Sequence, residues 1–333
     1  MMERALSLVQ ESVRAGKIPG AALGWIDPEG GARAAYLGQA QIEPTPLPLL
    51  PEMYFDLASL TKVLFTVPEI LHLVEEGLAD LDEPLGSFLP ELGWLSENPL
   101  RRVTLRELLT HTAGLPAWAP IYTWGSDPSQ LKARLLQEPW NLGAPVYSDL
   151  GYIFLGLVLE RVRRKPLSAF ELPPGLTFHP QPEQSVASEW DPWRGRLLRG
   201  EVHDENAAAL GGVAGHAGLF GTLEGVLLRA QALLRGELLS PAALEEMRRP
   251  HTSERALGWQ RKHPGWSGGS LASPSTLGHT GFTGTGVWID FERGYAWALL
   301  THRVHPSRHR DSEIHNLRRR VGDAIAARWR SLD

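Results

Sequence analysis

The chain has 333 residues, of which 43% are hydrophobic and 21% are charged, and its formal net charge is -5. This composition is typical of a folded globular protein and excludes a disordered one. The mild negative charge excludes the strongly basic surface that nucleic-acid-binding domains usually carry. Because there is no cysteine, disulfides, thiolate metal sites and cysteine nucleophiles are also excluded.

The start of the chain lacks the pattern of a targeting segment. Charged side chains (Glu3, Glu11 and Lys17) interrupt it, so it does not form the apolar stretch of a signal peptide or a membrane anchor. No stretch elsewhere approaches the roughly 18 apolar residues of a membrane helix. We therefore expect a cytoplasmic protein with neither a membrane nor a nucleic acid as partner; the sequence does not predict its oligomeric state.

The first predicted elements are a helix and a β-hairpin. Apolar residues from Ala5 to Val13 recur on one helical face, and the pattern stops near Gly16. The apolar runs 21–26 and 32–38 then flank a Pro/Gly turn, which predicts two antiparallel strands.

The next predicted element is a buried helix. Residues 57–76 are apolar almost all round apart from Lys62, which is typical of a helix at the centre of a fold. Pro68 lies inside this stretch and is expected to kink the helix or to mark its start. Between residues 80 and 240 the sequence shows few strand signals. Several helices separated by Pro and Gly are predicted there: 105–109, 130–137, 150–162 and 223–234.

Strands return near the end of the chain. Residues 287–290 and 295–300 flank a turn and predict a second hairpin. Apolar residues from Ile314 to Trp329 then repeat at helical spacing. We therefore predict an α+β fold in which one antiparallel sheet is flanked by the N- and C-terminal helices, with a mainly helical part between the two groups of strands.

Ser59 and Lys62, in the segment FDLASLTKVLF, are the predicted catalytic pair. Residues three apart share a helix face, so a serine at the start of a helix can contact a lysine one turn later. A serine needs such an activating neighbour to become a nucleophile. An unpaired lysine on an otherwise apolar helix is costly, which favours a specific role for Lys62 over a side chain that merely reaches solvent.

Two other serines match catalytic patterns. Ser129 and Lys132 repeat S-x-x-K, but they open a polar helix, where Ser129 is expected to be an N-cap and Lys132 a solvated side chain. Ser267 lies in G-x-S-x-G, the nucleophile elbow of α/β-hydrolases. That motif needs a strand before it and a helix after it, and here both flanks read as loop. Asp290 and His302 would complete its triad, so Ser267 is the alternative nucleophile.

The constellation around Ser59 resembles the serine β-lactamase and penicillin-binding-protein family, and most closely its class C branch and esterase relatives. Tyr147-Ser148-Asp149 stands in the place of the Y-x-N triplet, and His279-Thr280-Gly281 in the place of K-T-G. The segments 103–116 and 211–220 are also similar to this family. The likeness runs from about residue 15 to about residue 330.

The resemblance implies a β-lactamase/transpeptidase-like fold that forms one catalytic domain over residues 1–333. Its α/β lobe would comprise about 1–56 and 245–333. Its helical lobe would comprise about 57–244.

The resemblance also implies roles for the motif residues. Tyr147 would be a second proton carrier beside Lys62. Asp149 stands where the triplet often has Asn, and it would either keep Lys62 charged or position it. The oxyanion hole would consist of the backbone N–H groups of Ser59 and Phe282, beside the substrate-binding residues of the H-T-G motif.

His279 is the main departure from the family pattern. The lysine of K-T-G meets a substrate carboxylate in the family, whereas a histidine is only partly charged at neutral pH. We therefore expect esters to be better substrates than β-lactams or D-Ala-D-Ala peptides, which carry that carboxylate.

The predicted function is hydrolysis of small esters, amides or peptides through a serine acyl-enzyme, without a metal or cofactor. The glycine-rich stretch 211–221 fits no nucleotide motif and is expected to form turns beside the cleft. The C-terminal histidines alternate with arginines that repel a cation, so we predict no metal site there. Two alternatives remain: an α/β-hydrolase-type esterase using Ser267, and a protein on the same fold that binds a β-lactam or peptide without turnover.

Overall fold

The structure is a computed structural model that describes residues 2–95 and 97–329. Its helices are Met2–Arg14 (α1), Val67–Glu75 (α2), Leu85–Phe88 (α3), Leu105–Leu109 (α4), Pro128–Gln137 (α5), Asp149–Arg163 (α6), Glu205–Ala209 (α7), Leu223–Arg235 (α8), Pro241–Arg248 (α9) and Ile314–Ala326 (α10). Its strands are Gly20–Ile26 (β1), Ala32–Gln41 (β2), Leu47–Pro48 (β3), Phe55–Asp56 (β4), Leu176–Thr177 (β5), Ala187–Asp191 (β6), Arg196–Arg199 (β7), Phe220–Gly221 (β8), Gln260–Arg261 (β9), Leu277–Thr280 (β10), Gly286–Asp290 (β11) and Tyr295–Thr301 (β12).

Seven strands form one antiparallel sheet in the spatial order β3-β2-β1-β12-β11-β10-β9. Both predicted hairpins, β1–β2 and β11–β12, are present, and β1 pairs with β12 to join them. Trp297 of β12 lies opposite Trp25 on one side and Trp288 on the other. The predicted α+β fold with an antiparallel sheet is therefore confirmed, and the two ends of the chain meet in the middle of that sheet.

Helices cover both faces of the sheet. Side chains alternate across a strand, so Leu23 and Trp25 of β1 pack beneath the terminal helices α1 and α10. Ile26 belongs to the main core on the opposite face, where α8 packs against β1 and β12. Gly24 permits this contact, because a Cβ there would lie 2.7 Å from the side chain of Leu227. The helix α8 thus lies on the sheet although its residues fall within the range predicted for the helical lobe.

The buried segment after Ser59 is not one regular α-helix. Lys62–Thr66 is π-helical, and α2 follows with Pro68 in its first turn. Proline has no N–H to donate and is tolerated in the first turn of a helix. Pro68 therefore marks the start of the α-helix, which is one of the two predicted outcomes. Single π-helical turns are frequent at functional sites, and this one begins at Lys62.

The hairpin of β6 and β7 contradicts the prediction of few strands in the middle of the chain. In β6 the side chains are buried except for that of Trp190, so the strand lacks the apolar/polar alternation that marks a half-buried strand. Its acidic residues are buried in ion pairs, Glu189 with Arg308 and Asp191 with Arg194. The partner of Glu189 is 119 residues away in the sequence, so this ion pair cannot be read from the local sequence.

His305, just after β12, has one defined tautomer. Its Nδ1 donates to the carbonyl oxygen of Ser188 (3.0 Å), and its Nε2 accepts from the backbone N–H of Ile42 (3.0 Å). A proton on Nε2 would face that N–H donor. Burial above all lowers the pKa of His305, to about 4, in agreement with this geometry.

We therefore expect the free energy of unfolding to fall as the pH drops from about 6.5 to about 4. Over this range the unfolded chain binds a proton on His305 that the folded protein does not, so stability is lost. His305 alone accounts for about 1.4 kcal/mol per pH unit. Chemical denaturation at several pH values tests this, because the pH slope of His305→Gln is expected to be smaller by that amount. Equal slopes in the two proteins would contradict the assignment.

Candidate active site

Ser59 follows a tight turn at the end of β4. The carboxylate of Asp56 accepts hydrogen bonds from the N–H groups of Ala58 (2.8 Å) and His203 (2.6 Å). Ala58 has a left-handed φ of 47°, which costs energy for a residue with a side chain. The bond to Asp56 holds Ala58 in this conformation, and the turn places Ser59 on the wall of a cavity of about 680 Å³.

Lys62 lies directly behind Ser59 and is completely buried. Its Nζ donates to Ser59 Oγ (2.9 Å), to Asp149 Oδ1 (2.8 Å) and to the carbonyl oxygen of His216 (3.3 Å). These three acceptors match the three hydrogens of an ammonium group. Burial opposes the charge, but Asp149 and then Tyr147 outweigh it, so the pKa of Lys62 is raised. Lys62 therefore carries its proton in the resting protein.

Asp149 reaches Lys62 from the start of α6. Ser148 caps this helix: its Oγ accepts from the N–H of Gly151 (3.3 Å) and donates to the carbonyl oxygen of Pro116 (2.6 Å). Asp149 is the first residue of the helix, where the helix dipole favours a carboxylate. Its ion pair with Lys62 thus connects α6 to the segment that carries the serine.

Tyr147 lies between two cations. Lys62 Nζ is 5.0 Å from the centre of its ring, and the guanidinium carbon of Arg255 is 5.3 Å from it. The ring of His111 packs beside it, with 4.4 Å between ring centroids. Tyr147 is only half-buried and lines the cavity. Both cations would stabilise negative charge that develops on the phenol oxygen during a proton transfer.

His279 is buried on β10 and is neutral. Its Nδ1 lies 3.0 Å from the carbonyl oxygen of Thr280, and among residues 2–95 and 97–329 its buried Nε2 has no partner. Burial, followed by the charges of Lys62 and Arg255, holds the pKa of His279 well below its usual range. His279 therefore supplies no positive charge where the K-T-G motif has lysine.

The two N–H groups expected to form an oxyanion hole, those of Ser59 and Phe282, belong to residues that line the cavity. Within the described parts of the chain, neither N–H donates to another protein atom. The turn after β10 lies against the serine segment: Thr285 Oγ1 donates to the carbonyl oxygen of Leu57 (3.1 Å). A Cβ on Gly281 would lie 2.5 Å from that same oxygen, so only glycine permits this approach.

The cavity brings together the residues that the sequence predicted. Lys62 lies behind Ser59. Seven of the predicted residues line the cavity: Ser59, Tyr147, Asp149, His279, Thr280, Gly281 and Phe282. Most of the glycine-rich stretch 211–221 forms turns beside the cavity, as predicted, and its last two residues form β8; His216 and Ala217 belong to the cavity wall. His216 Nε2 lies 2.8 Å from Asp204 Oδ1, which fixes the backbone carbonyl that Lys62 contacts.

Sequence analysis missed four arginines in the cavity wall: Arg255, Arg303, Arg308 and Arg318. Arg318, on α10, donates to the carbonyl oxygens of Gly281 (3.2 Å) and Thr285 (2.7 Å) and thereby supports the H-T-G turn. Burial lowers the pKa of Arg318 to about 9. Arg303 and Arg308 lie in one segment after β12, whereas Arg255 and Arg318 come from two others, and no motif links the three segments.

The second S-x-x-K copy lies outside the cavity. Asp127, not Ser129, is the N-cap of α5: its Oδ1 accepts from the N–H of Gln130 (2.9 Å). Ser129 Oγ donates to the same carboxylate oxygen. Lys132 forms an ion pair with Glu160 (2.6 Å) and is not simply solvated, so both expectations were wrong in detail. Neither residue contacts the Ser59 site.

The alternative triad around Ser267 is not assembled. Ser267 lies in a loop, and in the described residues its buried Oγ has no hydrogen-bond partner. Asp290 accepts from Ser273 Oγ (2.7 Å) instead. The ring nitrogens of His302 contact the carbonyl oxygens of Ala187 and Gln39. The hypothesis of a Ser267 nucleophile is therefore wrong.

Residues 2–95 and 97–329 contain no cluster of three or more His, Asp or Glu side chains placed to hold a metal ion. No helix in these ranges combines the length and apolar character needed to cross a bilayer.

The chain is similar to known proteins over most of its length. The family model described as Beta-lactamase matches residues 6–321. The "N-acetylmuramyl-L-alanine amidase" of Bacillus subtilis (strain 168) is 30% identical over 300 residues, 75% of this chain and 68% of that protein. The "Putative D-alanyl-D-alanine carboxypeptidase" of Escherichia coli (strain K12) is 30% identical over 325 residues, 83% of this chain and 74% of that protein.

The fold resembles that of solved structures. A class C β-lactamase superposes with a TM-score of 0.75 at 16% identity, covering 97% of each chain. This likeness confirms the predicted β-lactamase/transpeptidase-like fold. With the family match over nearly the whole sequence, it shows that the chain belongs to the Beta-lactamase family of serine hydrolases.

Proposed function

We propose that this protein hydrolyses small carboxylic esters or amides through an acyl-enzyme on Ser59. One observation carries the proposal: the buried ammonium of Lys62 contacts both Ser59 Oγ and the Asp149 carboxylate, at the wall of an open cavity. Burying the charged groups of Lys62 and Asp149 costs desolvation free energy, which disfavours a purely structural role for the pair. Such an arrangement is typical of an activated nucleophile.

The raised pKa of Lys62 supports Tyr147 as the group that transfers protons in this proposal. In this mechanism Tyr147 acts as a phenolate that the Lys62 ammonium stabilises, and Ser59 Oγ attacks the acyl carbonyl carbon while its proton moves to the Tyr147 oxygen. The N–H groups of Ser59 and Phe282 would hold the oxyanion of the tetrahedral intermediate. Tyr147 then returns the proton to the leaving group, and the C–O or C–N bond breaks. Water then attacks the carbonyl carbon of the acyl-enzyme and gives its proton to Tyr147. Tyr147 returns a proton to Ser59 Oγ as the ester bond to Ser59 breaks and the carboxylic acid leaves.

Esters are the preferred substrates in this proposal. The neutral His279 supports this preference, because it supplies no charge for the substrate carboxylate of a β-lactam or a D-peptide. Amides form the second candidate class. Two relatives whose names describe an amidase and a carboxypeptidase favour it, as do the arginines in the cavity wall.

The proposal is tested with p-nitrophenyl butyrate, a chromogenic cephalosporin and a peptide ending in D-Ala-D-Ala. We expect multiple turnovers of the ester, with kcat/KM at least about tenfold above that for the cephalosporin. Faster cleavage of the cephalosporin or the peptide would reverse the substrate ranking. A single burst of acylation without turnover would favour the binding-protein alternative, and no reaction with any of the three would contradict the proposed function.

A further inference from the structure

His203 contacts the supports of both proposed oxyanion-hole donors, the N–H groups of Ser59 and Phe282. Its own N–H donates to the carboxylate of Asp56 (2.6 Å), which also accepts from the N–H of Ala58 and so holds the turn before Ser59. Its ring stacks on the ring of Phe282, with 5.7 Å between the ring centroids and 30° between the planes. His203 is buried and lines the cavity, but it has no part in the proton transfers proposed above. It therefore joins the two halves of the proposed oxyanion hole.

Packing, rather than hydrogen bonding, holds the side chain of Phe282. This residue lines the cavity, and 49% of it is exposed. Besides His203, two arginines lie near the ring: the guanidinium carbons of Arg303 and Arg308 are 4.6 Å and 5.8 Å from its centre. Each contact of this kind contributes little at an exposed site. The position of the ring thus depends on how well its neighbours are themselves held.

The peptide unit that carries the N–H of Phe282 is held directly at one end. Its carbonyl oxygen, that of Gly281, accepts from Arg318 Nη2 (3.2 Å) and from the N–H of Gly284 (3.1 Å). A peptide unit is planar, so a tilt about this oxygen would turn the N–H away from an oxyanion on Ser59. The ring of Phe282 anchors the other end of the unit against such a tilt. This anchoring matters because a misplacement of about 1 Å can lower a rate by about 10²-fold.

Glu189, on β6, holds two of the three neighbours of this ring. Its Oε2 accepts from His203 Nε2 (2.8 Å) and from Arg308 Nε (2.5 Å), and its Oε1 accepts from the backbone N–H of Arg308 (2.7 Å). Burial raises the pKa of this carboxyl, but the hydrogen bonds from His203 and Arg308 outweigh it and lower the pKa to about 2. Glu189 is therefore charged at neutral pH. No other carboxylate in residues 2–95 and 97–329 forms ion pairs with both neighbours.

We infer that Glu189 is a positioning residue of the oxyanion hole, which acts through His203 and the ring of Phe282. Glu189 is buried and does not line the cavity, so it acts without touching the substrate. Its charge is costly to bury, and both of its partners pack against the residue that carries an oxyanion-hole donor. This inference rests on the proposed function of Ser59, because the oxyanion forms only when a nucleophile attacks the acyl group.

The experiment measures how well an oxyanion is bound. Propyl trifluoromethyl ketone adds to a nucleophilic serine as a charged hemiketal, which resembles the tetrahedral intermediate of butyrate transfer. Glu189→Gln keeps the shape of the side chain and removes its charge. We expect kcat/KM for p-nitrophenyl butyrate to fall by about tenfold and the Ki of the ketone to rise by the same factor. This effect is a fraction of the loss of about 10²- to 10³-fold that follows removal of a donor.

A double-mutant cycle tests the route through the ring. Phe282→Leu keeps the backbone N–H but removes the aromatic face on which His203 packs. Because Glu189 acts through that face, adding Glu189→Gln to Phe282→Leu should lower kcat/KM by less than about twofold further. His203→Gln keeps a donor for Glu189 and removes the stacked ring, so it should cause the same loss as Glu189→Gln. It tests the same route should Glu189→Gln fail to fold.

Asp290→Asn is the matched control. Asp290 is also a fully buried carboxylate on a strand; it accepts from Ser273 Oγ (2.7 Å) and lies 3.8 Å from Arg293 Nη1, outside the cavity. Its variant should keep kcat/KM and Ki within about twofold of wild type. Rates are expressed per reactive Ser59, titrated with a fluorophosphonate, and thermal unfolding reports the stability of each variant.

A lower kcat/KM in Glu189→Gln without a change in the Ki of the ketone would overturn the inference. A loss of about tenfold from Glu189→Gln in the Phe282→Leu background, or an equal loss in Asp290→Asn, would overturn it as well. An unchanged Glu189→Gln beside an active wild type would overturn the inference and leave the proposed function intact. A wild type that neither hydrolyses the ester nor binds the ketone would contradict the proposed function and the inference with it.

Discussion

Ser59→Ala is expected to lower kcat/KM for p-nitrophenyl butyrate by at least about 10³-fold, because loss of the nucleophile removes the acyl-enzyme route. The fold should tolerate the change: Ser59 is only half-buried, and its side chain contributes one contact, to Lys62. Steady-state kinetics and thermal unfolding of the same preparation separate the two effects.

The chain offers a matched control for this variant. Ser129→Ala alters the second S-x-x-K serine, whose hydroxyl contacts Asp127 outside the cavity, and it should leave the rate within about twofold of wild type. Activity that survives in Ser59→Ala would show that Ser59 is not the nucleophile. A large loss in Ser129→Ala would show that the local contexts of the two motifs were misinterpreted.

Lys62→Met is expected to lower kcat by at least about 10²-fold, the usual effect of removing a group that assists proton transfer. Methionine fills a similar volume without the charge. The variant loses the contact to Ser59 Oγ and leaves Asp149 without its partner. Lys132→Met is the control, because it removes the lysine of the second motif and its ion pair with Glu160 without touching the cavity.

Asp149→Asn separates the two roles considered for Asp149. The amide keeps a hydrogen-bond acceptor for Lys62 but removes the charge that, with Tyr147, keeps its pKa raised. A loss much smaller than that of Lys62→Met would favour positioning by Asp149. An equally large loss would favour a requirement for the carboxylate charge. An unchanged rate in Lys62→Met itself would contradict any catalytic role for Lys62.

Local patterns predicted much of the fold. The two hairpins consist of apolar runs that flank a turn containing Gly, and the terminal helices carry an apolar period of 3.6 residues. The β6–β7 hairpin escaped prediction because Glu189 is buried by an ion pair with Arg308, which is far away in the sequence. The packing of α8 on the sheet depends on Gly24, whose significance appears only when helix and strand are placed together.

The candidate site was also predicted only in part from local patterns. Ser59 and Lys62 are three residues apart, so the sequence itself brings them together, whereas Tyr147 and His279 were found by their resemblance to family motifs. The left-handed turn at Ala58 has no sequence signal, because alanine rarely adopts that conformation. Arg255 was missed because its meaning lies in a contact with Tyr147 across more than one hundred residues of sequence.

Mass spectrometry of the trapped acyl-enzyme identifies the nucleophile. The protein is mixed with p-nitrophenyl butyrate, quenched in acid during steady-state turnover, digested and analysed by peptide mapping. We expect one butyryl group on the peptide that contains Ser59, and none in Ser59→Ala. A butyryl group on Ser129 or Ser267, or rapid turnover with no covalent adduct on any serine, would contradict it.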